Sequence, residues 1–146
     1  MTEIERIFLT SGLTIFGGIV VLVLGQIITK FHLEPLHELR MLLGNISDTL
    51  VLHANVCTNP GLRPREPMDA ASRVLREEAS LLRARAHALP CYIVYVFLRV
   101  VPKSKSLQEA SRLLTALTNA AYVEGQGMEN HRRAGLGRKL LGLPPE

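Results

Sequence analysis

The sequence predicts an all-α protein, an N-terminal transmembrane helix followed by a small helical bundle, and three observations carry that expectation. Residues 7–29 form 23 consecutive uncharged positions between Arg6 and Lys30. Beyond them, apolar residues recur at intervals of three and four over several separate stretches, the spacing that lines one face of a helix. No stretch shows the sustained alternation of apolar and polar residues that marks a half-buried strand.

The apolar run comes first. At about 1.5 Å per residue it crosses the roughly 30 Å hydrocarbon core of a bilayer. A secretory signal would be shorter and end in small residues suited to cleavage, whereas this run ends Gln26-Ile27-Ile28-Thr29-Lys30 with no A-x-A pattern. The helix is therefore expected to be retained, dividing the chain into a tail at 1–6, a span at 7–29, a helical soluble domain at 30–142 and a flexible end at 143–146. Ser11, Thr14, Gly18, Gly25 and Thr29 fall on one stripe of small or hydroxylated residues, suited to close packing against a second membrane helix. The competing reading is that such residues are simply common in membrane helices.

Pro35 suits the first turn of the next helix, and Leu36, Leu39, Leu43, Ile46, Leu50, His53 and Cys57 follow in a heptad-like seam. With no linker after Lys30, the span is expected to run nearly straight into this helix. Thr58-Asn59-Pro60-Gly61 breaks the pattern, and the proline-rich stretch to Pro67 reads as a loop. Asp69 is placed to cap a second soluble helix, in which Ala71, Val74, Leu75, Leu81, Leu82 and Leu89 form the apolar face.

Pro90 interrupts that helix. The run from Ala88 to Val101 has 14 residues and contains Arg99, short of the ~20 that a span requires. A buried core helix or strand is expected there, with a second span or a re-entrant or interfacial segment as the alternative. Ser106-Leu107-Gln108-Glu109 has the form of a capping box and opens a helix through Leu107, Ala110, Leu113, Leu114, Leu117 and Ala121. Gly125 and Gly127 close it, and Met128 to Leu141 form a weaker terminal helix interrupted by Gly135 and Gly137.

From Lys30 onward the chain holds 16 basic and 11 acidic residues, a formal +5, and residues 61–112 hold ten of the basic against five acidic. A moderate excess of this kind mostly maintains solubility, and it also suits anionic lipid or an acidic partner; no nucleic acid is expected. The Lys/Arg bias around the span, with Lys30 and Arg40 beyond it, favours a cytoplasmic C-terminal side. Cys57 and Cys91 are then thiols in a reducing compartment.

One constellation carries possible chemistry. His53-x-x-x-Cys57 and His87-x-x-x-Cys91 repeat a spacing that places both donors on one helical face, and two such pairs make a tetrahedral zinc site. Pro90 disturbs the second pair, and a His and a Cys in an apolar seam are more often packed than ligating. Gly17-Gly18 lies within the expected span and Gly135-Leu136-Gly137 follows no strand, so neither reads as a phosphate loop. No catalytic residue, cofactor or metal is expected.

The span, together with Ala54-Asn55-Val56-Cys57-Thr58-Asn59-Pro60-Gly61, Arg83-Ala84-Arg85-Ala86-His87-Ala88-Leu89-Pro90 and Glu109-Ala110-Ser111-Arg112-Leu113-Leu114, resembles a loosely defined group of uncharacterised small bacterial membrane proteins. The resemblance implies a bacterial inner-membrane location and transfers no activity. The expectation is thus a non-enzymatic, membrane-anchored helical protein acting through self-association or a protein partner. The alternatives are a membrane-perturbing or pore-forming protein and a metal or redox sensor.

Overall fold

A computed structural model describes residues 2–60 and 64–144. Gly61 of the expected breaker, and Pro145 and Glu146 of the expected flexible end, lie outside the described residues. Every regular element among the described residues is a helix.

Helix α1 (Glu3–Ile28) opens with a reciprocal cap. The Thr2 hydroxyl accepts the Glu5 N–H, and the Glu5 carboxylate accepts the Thr2 N–H at 2.9 Å, so two of the free donors of the first turn are satisfied. The hydroxyls of Thr10 and Thr14 donate back to the carbonyls of Arg6 and Thr10, each at 2.8 Å. No residue of α1 is buried. The helix does not stop at the end of the apolar run: a single π turn (Thr29–Leu33) carries it into α2 (Glu34–Leu52), making one continuous helix of 50 residues from Glu3 to Leu52. Pro35 stands in the first turn of α2, where the wider π turn leaves its missing N–H without consequence.

The bundle is built by α2, α4 (Arg65–Ala88), α6 (Ser104–Ala120) and α7 (Gly127–Leu141), with α3 (Ala54–Thr58) and α5 (Tyr92–Phe97) as short connecting helices. α4 packs against both α2 and α6, and α7 packs against α6 and α3. Leu39, Ile46, Leu75, Leu82, Leu114 and Leu117 are fully buried at its centre, each contributing about 1.5–3 kcal/mol by removing its side chain from water. Two hydroxyls tie α4 to α6 at close range: Ser111 donates to the Ala79 carbonyl at 2.8 Å and Ser72 to the Thr118 carbonyl at 3.1 Å.

The expected seam of α2 is buried inside the monomer. Leu39, Leu43, Ile46, Leu50 and Cys57 all join the core and Leu36 packs on its edge, so the seam is not available to a second chain. It is also not one helix, because α2 ends at Leu52 and His53 turns the chain before α3 begins.

Three helix starts and one buried segment differ from expectation. α4 begins at Arg65, four residues before Asp69, with Pro67 inside its first turn, where no backbone N–H is needed; Asp69 instead accepts a hydrogen bond from the Tyr122 hydroxyl at 2.6 Å. α6 begins at Ser104 with no side-chain cap, so Ser106 and Glu109 do not form a capping box. α7 begins at Gly127, which is its first residue rather than the end of α6, and it runs unbroken through Gly135 and Gly137. Of the apolar run from Ala88 to Val101, Leu89 and Val101 are buried in the core, while α5 between them has six residues, too short for a span, none of them buried.

Candidate functional site

The features that distinguish this chain from an ordinary helical bundle gather where α1 passes into α2. α1 is the one helix among the described residues that is long and apolar enough to cross a membrane. Ser11, Thr14, Gly18 and Gly25 along it, and Thr29 in the π turn, are all exposed, and no atom beyond the neighbouring turns of the helix itself lies within 4 Å of where a side chain at Gly18 or Gly25 would begin. The stripe is therefore open in the monomer.

At the base of α1 the π turn presents His32 to α5. Nδ1 of His32 and the Tyr95 hydroxyl share a hydrogen bond of 2.9 Å, with the two rings tilted at 49°. α5 itself is a short finger. The chain leaves α4 through the buried Leu89, enters the left-handed region at Cys91 (φ 51°), forms α5, and re-enters that region at Arg99 (φ 58°) before Val101 returns to the core. Two non-glycine residues with positive φ each cost on the order of 1 kcal/mol, and here they bracket one six-residue helix.

The finger has two faces. Tyr92, Tyr95 and Val96 are half-buried against the core, and the Tyr92 hydroxyl donates to the Pro102 carbonyl at 2.6 Å, burial pushing this phenol up to about 12. The opposite face is bare: Ile93 is 83% exposed and Phe97 84%, with Val94 and Leu98 beside them. Alongside the finger runs a cleft between α2, the α5–α6 connection and the end of α7, lined among others by Arg40, Arg99, Lys103 and Lys139 and by no acidic residue. Sequence reasoning missed this grouping. Its signals were two tyrosines inside the apolar run and a basic residue at its end, but the meeting of α2, the α5–α6 connection and the end of α7 around one cleft leaves no local trace.

The His and Cys pairs are not brought together. Cys57 is buried in α3 beside the start of α7, where its carbonyl accepts from Asn130 at 3.1 Å, and burial pushes its thiol up. The neighbouring Val56 packs on Met68 and Ala71 in the first turns of α4, whereas His87 is in the last turn of that helix and Cys91 lies just beyond it. Sixteen residues of helix from Ala71 to His87 span on the order of 24 Å. Among the described residues no group of three or more His, Cys, Asp or Glu is placed to hold a metal ion.

Among the buried polar side chains is the carboxylate of Glu78 on α4. Desolvation pushes its carboxyl up, the hydrogen bond from Thr49 acts against that shift, and the neighbouring Glu77 adds to it.

Compared with known protein families, with curated proteins and with solved structures, the chain shows no match.

Proposed function

We propose that this chain is a non-enzymatic, single-pass membrane protein in which α1 spans the bilayer and presents the helical bundle at its surface, acting through self-association of α1 or through a protein partner. The observation that carries the reading is the continuous helix Glu3–Leu52: no residue of its first half is buried, while its second half is the core of the bundle. Exposing that apolar length to water is unfavourable, and a bilayer removes the penalty. Because the seam of α2 is already buried in the monomer, contacts between copies fall to α1, where the stripe from Ser11 to Thr29 is open.

The basic residues beyond the span, Lys30 and Arg40, favour the bundle on the cytoplasmic side, and the sequence resemblance favours a bacterial inner membrane. Cross-linking the full chain in membranes, beside a variant lacking residues 1–30, tests the reading. Oligomers formed by the full chain and lost with the deletion support it; oligomers that persist without α1 overturn its assignment to the anchor. Reporters fused behind the C-terminus and active on only one side of the membrane test the orientation.

A further inference from the structure

We infer that α5 and the basic cleft beside it form a second membrane attachment, in which the bare face of the finger enters the headgroup region of a leaflet containing anionic phospholipid and the cleft receives lipid phosphate. The inference rests on the reading that α1 spans the bilayer.

Three observations carry it. The first is position. Tyr95 is hydrogen-bonded to His32, three residues past the end of the uncharged run, which is about 4.5 Å of helix rise. α5 is thus held at the level where hydrocarbon gives way to headgroups. Phe31 and Leu33 are exposed on the same turn, so apolar surface extends past the uncharged run to the level of His32.

The second is composition. The chain has four Phe, three Tyr and no Trp. Four of those seven aromatics, Phe31, Tyr92, Tyr95 and Phe97, belong to the π turn and to α5, the two segments that the His32–Tyr95 hydrogen bond joins. Aromatic side chains collect at membrane interfaces because their rings tolerate both the apolar and the wet side.

The third is charge. Arg40, Arg99, Lys103 and Lys139 line the cleft with no carboxylate among them, and none forms an ion pair with a described residue. A site that takes apolar side chains on one flank and offers cations on the next matches a phospholipid, acyl chain below and phosphate above. A protein partner of ordinary polarity would not need both. The strained residues Cys91 and Arg99 and the core anchors Leu89 and Val101 hold the finger outward in place of the burial its sequence would otherwise favour.

Because the chain lacks Trp, each single introduced Trp reports one position. The full chain is reconstituted into vesicles containing phosphatidylglycerol with brominated acyl chains, carrying Ile15→Trp, Phe97→Trp or Met128→Trp. Ile15 is in the middle of α1, and Met128, 89% exposed at the start of α7, is at the end of the bundle away from the finger. Strong quenching at Ile15 and Phe97, with none at Met128, is the expected result. The phosphatidylglycerol-dependent part of the Phe97 quenching falls in vesicles of phosphatidylcholine alone, and docking weakens about fivefold, ~1 kcal/mol, for each charge removed in Arg99→Gln and Lys103→Gln.

Quenching at Ile15 without quenching at Phe97 overturns this inference and leaves the span intact; absence of quenching at Ile15 overturns the span itself. A blue-shifted but unquenched Phe97→Trp means that protein covers the finger, and that also overturns the inference. Equal quenching in both vesicle types removes the assignment of the cleft to anionic headgroups.

Discussion

Thr49 on α2 donates its hydroxyl to Oε1 of Glu78 on α4 at 2.8 Å, while Oε2 of the same carboxylate, in a residue only 7% exposed, has no hydrogen-bond partner among the described residues. A buried carboxylate with one oxygen unpaired favours its neutral form, which is why Glu78 is pushed above the usual carboxylate range. The folded state then holds a proton that the unfolded state releases, so stability is greatest below the unfolded pKa and falls as pH rises through the folded one. Glu78→Gln, neutral at every pH, should be more stable than the native chain at pH 7. That advantage should shrink toward zero near pH 4. Thermal unfolding of both proteins in detergent across that range measures the gap, and a constant gap would show that charge is not its source.

At the other end of the bundle, α7 is fastened to α3 by contact at two adjoining positions. Asn130 is fully buried and donates to the Cys57 carbonyl at 3.1 Å, and a side chain at Gly127 would overlap the carbonyl oxygen of Thr58. Asn130→Ala should cost about 1–3 kcal/mol by leaving a buried carbonyl unpaired. Gly127→Ala should force the α3–α7 backbones apart and destabilise to a similar extent. Since both changes loosen one contact, the double variant should lose less than the sum of the two, as chemical unfolding of the three proteins would reveal.

The division between a long apolar helix and a bundle was legible because uncharged length and helical spacing are local signals. Leu39, Leu43, Ile46 and Leu50 were correctly placed on one face by spacing alone. What covers that face was not legible, because the burial of Ile46 depends on Leu75 and Leu82, some thirty residues onward in another helix. α5 misled for the same reason. Continuous apolarity from Tyr92 to Leu98 says that the segment avoids water, not whether a core or a bilayer shelters it. His32 and Tyr95, 63 residues apart, meet only in the fold.

Burial of the seam within one chain makes a direct prediction for Ile46→Ala. Removing the buried side chain should cost about 2–5 kcal/mol through lost burial and an unfilled cavity. If the seam is core, the melting temperature of this variant shifts by the same amount at every protein concentration. A shift that shrinks as concentration rises would mean that a second copy fills part of the gap, contrary to the monomeric packing.

The two cysteines should differ in reactivity. Cys57 is buried with its thiol pushed up by desolvation, so little thiolate forms near neutral pH, whereas Cys91 is exposed. The thiolate is the nucleophile. A small membrane-permeant maleimide at pH 7 should therefore modify Cys91 readily and Cys57 only as the bundle opens, which mass spectrometry of timed samples resolves. Mild oxidation should give no Cys57–Cys91 disulfide within a monomer, since α4 holds the two at its opposite ends and a disulfide needs Cα atoms within about 7 Å.

The open stripe of α1 separates a specific helix pairing from a general affinity of apolar helices for one another. Gly17 and Gly18 are adjacent, and a side chain added to either meets nothing within 4 Å in the monomer, so Leu at either position leaves the fold of a single chain undisturbed. Only Gly18 belongs to the stripe; Gly17 is turned about 100° away around the helix. Close pairing along the stripe brings backbones together at the glycine, and a leucine there drives them apart. Gly18→Leu should reduce cross-linked oligomers in membranes about tenfold, ~1.4 kcal/mol, while Gly17→Leu leaves them near the native level. Equal loss in both variants would assign the pairing to some other face of α1, and equal retention would move self-association off the anchor altogether.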